Sequence, residues 1–173
     1  MIFILLWSLP KLFFNMLFLY IYGDNIEAYL GRVNFMIFYA LGGLSAALLQ
    51  SMFAGGMDIP MIGASGCISA IMGAYWVLYP KAKINVFLWI FIFIQFIKVP
   101  ASIVIGFWIL EQLISAGNGS YDGVAYFAHI GGFIFGYVGI KFFFKEYVQY
   151  EEISESDLPI SRKNKSQGLT KDD

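Results

Sequence analysis

The stretch Gly123-Val124-Ala125-Tyr126-Phe127-Ala128-His129-Ile130-Gly131-Gly132-Phe133 carries the chain's single histidine, inside an apolar run that reaches Phe144 and is long enough to cross a bilayer. An imidazole in hydrocarbon is costly and calls for a partner or a function. Along the same run Ala125, His129, Gly132, Gly136 and Gly139 recur at spacings of four, three, four and three, which on a helix makes one stripe of small side chains around the histidine. Such a stripe lets a second helix come into backbone contact.

Composition points the same way. With 59% hydrophobic and only 13% charged residues, the 173-residue chain has too little polar surface for a soluble globule. The expected fold is all-α, a polytopic membrane helix bundle of about five transmembrane helices. A formal net charge of -1, with basic residues spread over short inter-helix segments and the tail, gives no field for nucleic acid, so none is expected as a partner. The lone Cys67 excludes an internal disulfide, and without a Cys/His cluster neither a metal nor a cofactor is expected.

The expected crossings run from about Pro10 to Tyr22, from Arg32 to about Met52, from Ser65 to Tyr79-Pro80, across part of Ile84 to Ile114, and from Val124 to Phe144. The first closes in the polar turn Gly23-Asp24-Asn25, and proline closes the third. Ile84 to Ile114 is too long for one span and too short for two. It is read as an interfacial or re-entrant piece, Ile84 to Ile97, followed by a span from Val99 to Ile114. Residues 1–144 form the membrane domain, and the polar residues 145–173 form a disordered, solvated tail.

Arg32, Lys81, Lys83, Lys98, Lys141 and Lys145 fall on one side of such a bundle, whereas the turns Phe53 to Ile62 and Ser115 to Gly123 carry only Asp58 and Asp122. The basic side, and the carboxy-terminal tail with it, is expected to be cytoplasmic. The first, third and fifth helices then enter from the outer face. Asn15, Ser65 and His129 each follow soon after such an entry and are expected at similar depth. The motif at the third helix is Gly63-Ala64-Ser65-Gly66, with Ser69, Ala70 and Gly73 as a further small face. A serine and a histidine on touching helices are the two parts of an activated nucleophile. The plainer alternative is that the glycines only pack helices, that His129 bonds a backbone carbonyl and that Ser65 bonds its own helix.

Four segments taken together resemble the core of the rhomboid intramembrane serine proteases. They are Phe14-Asn15 through Ile26-Glu27, Gly63-Ala64-Ser65-Gly66, Val99-Pro100-Ala101, and Gly123 through Phe133. The resemblance implies that Ser65 is the nucleophile, His129 the general base, and Asn15 with backbone N–H near Ser65, that of Gly66, the oxyanion donors. Its implied substrates are single-span transmembrane proteins cut near the outer end of their helix, within a lipid bilayer. The implied mechanism is a Ser-His dyad without an acid, since Asp58 and Asp122 lie in outer turns and Glu111 near the outer end of its span. A multi-pass place in a prokaryotic cell membrane is the expected location.

Two departures accompany the resemblance. Lys11 stands one turn before Asn15 where the family usually has histidine, offering a flexible charge as a further oxyanion donor. Only Met1 to Leu9 precedes the Asn15 helix, so the front is read as shortened by one helix. These features sustain a second reading, a catalytically inactive rhomboid-like protein that binds membrane proteins. A small channel or transporter is a third, hinted at only by the break Lys98-Val99-Pro100. Glu27 and Arg32 are read as interfacial anchors of the inner turn, and Trp7, Trp76, Trp89 and Trp108 as lipid-facing or belt residues.

Overall fold

In the membrane setting expected from the composition, every backbone N–H and C=O must be paired within its own segment, which favours helices over the long apolar runs. A computed structural model describes residues 2–53, 64–90, 93–119 and 124–143. In chain order these form α1 (Ile2–Phe18), a π-helical turn (Leu19–Gly23), α2 (Asp24–Leu30), α3 (Arg32–Phe53), α4 (Ser65–Leu78), strands β1 (Lys83–Ile90) and β2 (Phe93–Pro100), α5 (Ala101–Gly117) and α6 (Tyr126–Phe143). The chain divides into Met1–Phe143 and Phe144–Asp173, and the tail expected over 145–173 lies outside the described residues.

The chain is mostly helical, and it departs from the all-α expectation in one place. Over the piece expected to be interfacial or re-entrant, Ile84 to Ile97, the chain is not helical: β1 and β2 pair as an antiparallel hairpin, in register from Lys83 opposite Pro100 to Ile90 opposite Phe93. The segment is rich in β-branched and aromatic residues, which suit a pleated surface. Ile84, Val86, Ile97 and Val99 share one half-buried face, while Lys83, Asn85 and Lys98 are exposed on the other. The following helix therefore begins at Ala101 rather than Val99. Pro100 sits immediately before it, and the N–H groups of Ala101 and Ser102 bond to the carbonyls of Ala82 (2.7 Å) and Pro80 (3.2 Å). The start of α5 is thus stapled to the turn that joins α4 to β1.

The first helix differs too. α1 starts at Ile2 and continues through Pro10, a residue that lacks the N–H for one helical hydrogen bond. Gly23-Asp24-Asn25 is not a turn: the chain stays helical to Leu30 and breaks at Gly31, whose φ of 74° is a left-handed value that suits glycine. Asn15 is consequently deep in a long helix rather than five residues from its start.

Three helices form the core. A Cβ at Gly132 would collide with the Gly66 carbonyl and one at Gly136 with the Ala70 carbonyl, so α4 and α6 run parallel in close contact. α3 runs antiparallel to both, with Gly42 against Ala70, Ala46 against Gly66, Gln50 beside Ala128 and Phe38 beside Phe135. Buried Ile68, Ala70, Ile71, Met72 and Ala74 fill the α4 side of this packing. Outward faces are apolar as well, with Leu44, Leu48, Ile103, Phe107 and Leu110 exposed, as a helix bundle in lipid requires. Among the described residues α3 is the helix that is by itself both long and apolar enough to cross a membrane; α4 and α5 are shorter apolar helices.

Candidate active site

Ser65 is the first residue of α4, and the first intrahelical bond there runs from the Ile68 N–H to the Ala64 carbonyl at 2.9 Å. The N–H groups of Ser65, Gly66 and Cys67 therefore precede the hydrogen-bonded ladder and lie at the positive end of the helix. Ser69, one turn on and buried, donates its hydroxyl back to the Ser65 carbonyl at 2.7 Å. That bond holds the backbone of the turn on which the Ser65 hydroxyl stands.

His129 lies in the first turn of α6, its own N–H bonded to the Ala125 carbonyl at 3.2 Å. The parallel register of α4 and α6 offsets residues by 66, from Gly66 to Gly132 and from Ala70 to Gly136. Along the common axis Ser65 and His129 thus differ by two residues, or about 3 Å. Both stand at the same end of the helix pair.

α3 grips α6 on either side of the histidine. The Ala128 N–H is shared between the Ala125 carbonyl and the buried Gln50 Oε1, each at 3.0 Å, and Ser45 donates its hydroxyl to the Gly131 carbonyl at 3.2 Å. Phe53 stacks on Phe127 at 5.1 Å between ring centroids. The imidazole itself faces α5: Nδ1 is 2.6 Å from Gln112 Oε1, and the Trp108 ring lies 5.7 Å away, centroid to centroid. Gln112 is buried and bonds through its Nε2 to Glu111 Oε2. Among the described residues no hydrogen bond joins the imidazole to the Ser65 hydroxyl.

Asn15 is half-buried on α1 and Lys11 is exposed one turn earlier. The end of this helical segment meets α4 where Tyr22 packs against Tyr75 (5.0 Å) and the Tyr79 hydroxyl donates to the Asn25 carbonyl (3.5 Å). Those contacts run in parallel sense with offsets of 53 and 54 residues. No group of His, Cys, Asp and Glu able to hold a metal occurs among the described residues.

Sequence reasoning passed over Gln50 and Gln112. Each is an amide inside an apolar run, where an unpaired polar group is expensive, and that cost was the available signal. What it could not supply is the partner: both bonds join residues on different helices, Gln50 to Ala128 and Gln112 to His129.

Comparison with known proteins identifies the family. A rhomboid domain model matches residues 2–146. The chain is similar to Rhomboid protein 1, mitochondrial, of Saccharomyces cerevisiae, with 29% identity over 130 residues, covering 70% of this chain and 34% of that protein. It therefore spans about a third of the length of the curated relative it matches. No solved structure matches the chain. With the family model covering all the described helices, whose parallel α4 and α6 bear the serine and the histidine at one end, this chain belongs to the rhomboid family of integral membrane proteins.

Proposed function

We propose that the chain is an intramembrane serine endopeptidase that cleaves single-span transmembrane proteins near the outer membrane face with Ser65 and His129. The observation that carries this reading is the glycine contact of Gly66 with Gly132, which sets the first turns of α4 and α6 side by side at one end of the bundle. His129 takes the proton of the Ser65 hydroxyl as its oxygen attacks the scissile carbonyl carbon. The tetrahedral oxyanion is held by the N–H of Gly66 at the helix start, with Asn15 as second donor and Lys11 as a third. Collapse breaks the C–N bond, and the imidazolium returns its proton to the departing amine. Water, deprotonated by the same imidazole, then releases the acyl group from Ser65.

The bundle is read as five crossings, α1 with its π-helical turn and α2, then α3, α4, α5 and α6. Lys81, Lys83, Lys98 and Lys141 lie on the cytoplasmic side, and residues 145–173 form a tail on that side. Cleavage of a model single-span substrate by the purified protein, with fluorophosphonate labelling of Ser65, tests the activity. Ser65→Ala and His129→Ala should each abolish cleavage, and the double variant should be no worse than either. Wild-type cleavage by Ser65→Ala would sink the assignment.

A second reading is a rhomboid protein that binds membrane helices without cutting them. It is favoured by Lys11 in place of histidine and by the imidazole being bonded to Gln112 rather than to Ser65. An unreactive Ser65 in folded protein, together with retained capture of the single-span substrate, would select it.

A further inference from the structure

We infer that Gln112, with Glu111 behind it, is the positioning residue that fixes the tautomer and ring orientation of His129. This rests on the reading of His129 as the base. The Gln112 Oε1 atom can only accept, so at 2.6 Å the imidazole Nδ1 must donate. A neutral ring that carries its proton on Nδ1 has a bare lone pair on Nε2, the atom then available to take a proton from serine. A free histidine side chain favours the opposite tautomer.

The amide has two ends, and only one orientation serves. Gln112 Nε2 donates to Glu111 Oε2, whereas a flipped amide would set its oxygen against that carboxylate. Glu111 therefore selects the orientation that presents Oε1 to His129. Glu111 is itself held, accepting the Ser115 hydroxyl at 3.0 Å. Trp108, one turn before Gln112 on the same face of α5, closes the other side of the ring at 5.7 Å. Once the imidazole is protonated, its Nδ1–H bond to Oε1 becomes charge-assisted, with a carboxylate one amide away. The dyad expected from the sequence thus has a carboxylate behind it, exposed at the rim of α5 and reaching the histidine only through an amide.

Because His129 is the chain's single histidine, selective ¹⁵N-histidine labelling of the full-length protein reports this ring alone. The wild-type spectrum should show a protonated Nδ1 and a bare Nε2. Gln112→Leu should move the population toward protonated Nε2, Glu111→Gln should give a mixture, and Gln112→Glu should keep Nδ1 protonated. In substrate cleavage, Gln112→Leu should lower kcat roughly 10- to 100-fold, the usual cost of an outer partner, with KM little changed and recovery in Gln112→Glu. The exposed site of Glu111 makes Glu111→Gln the variant least prone to misfold. A wild-type ring protonated on Nε2, or one whose tautomer ignores both Gln112→Leu and Glu111→Gln, overturns the inference. If the tautomer responds while Ser65 resists fluorophosphonate, the positioning role stands and the protease reading falls. If Ser65 is labelled and the tautomer does not respond, the reverse holds.

Discussion

Gly132 of α6 lies so close to Gly66 of α4 that a Cβ on the former would overlap the carbonyl of the latter. Helices in lipid associate by van der Waals packing rather than by hydrophobic expulsion, so this contact is a main source of their cohesion. Gly132→Val should therefore destabilise the bundle by about 1–3 kcal/mol, the usual cost of overpacking, and should reduce fluorophosphonate labelling of Ser65 as the two first turns separate. Gly117→Ala is the control, since nothing lies within 4 Å of a Cβ there, and its effect should stay within about 0.5 kcal/mol. Thermal unfolding in detergent measures both. Equal stability of Gly132→Val and wild type would refute the packing role.

That contact was legible in the sequence, because small residues at helical spacing announce close approach and the stripe through Gly132 and Gly136 is the face that meets α4. Gly139, on the same stripe, packs instead beside Phe38 and Phe135, as expected when a helix serves two neighbours. The hairpin was hidden because its run from Ile84 to Ile97 is apolar on both faces toward the middle, which erases the period of two. Pro10 and Gly23-Asp24-Asn25 misled for a related reason: breakers weigh less where helix is the only way to pair the backbone. Neither glutamine partner could be read, since a hydrogen bond between separate helices leaves no mark at either residue.

Gln50 supplies one of two acceptors of the Ala128 N–H, the other being the Ala125 carbonyl, each at 3.0 Å. Gln50→Leu removes the bond that ties this turn of α6 to α3 and should cost about 0.5–1.5 kcal/mol. Hydrogen exchange at Ala128 should quicken, whereas Gln50→Glu, which keeps an oxygen there, should protect it better than leucine does. Unchanged exchange in Gln50→Leu would show that the bond does not hold the histidine's turn.

The proposed orientation rests on the basic residues at one end of the helices. In a Cys67→Ala background, Lys81→Cys at the end of α4 should react with a membrane-impermeant thiol reagent only after the membrane is opened. Asn118→Cys, exposed just after α5, should react in intact cells. Reaction of both from one side would break the proposal that α5 crosses.

Lys11 and Asn15 lie one turn apart on α1, Lys11 exposed and Asn15 half-buried. If they hold the oxyanion, they act on a charge that exists only as the carbonyl is attacked, so their loss should lower kcat and leave KM nearly unchanged. Asn15→Ala should then cost roughly 100- to 1,000-fold in kcat, the range for removing one such donor. Lys11 is a different case. A lysine carries its charge at the end of a four-carbon stem, whereas an imidazole on the same backbone is short and planar and presents an N–H in a defined direction, so Lys11→His should raise kcat by roughly 10-fold or more. The gain should vanish in an Asn15→Ala background only if the two donors act on the same oxygen as a unit, which a double-mutant cycle reads directly. Steady-state cleavage of a single-span substrate measures all four forms. No gain from Lys11→His and no loss from Asn15→Ala, in folded protein, would remove α1 from the chemistry and leave the helix start at Gly66 as the oxyanion's support.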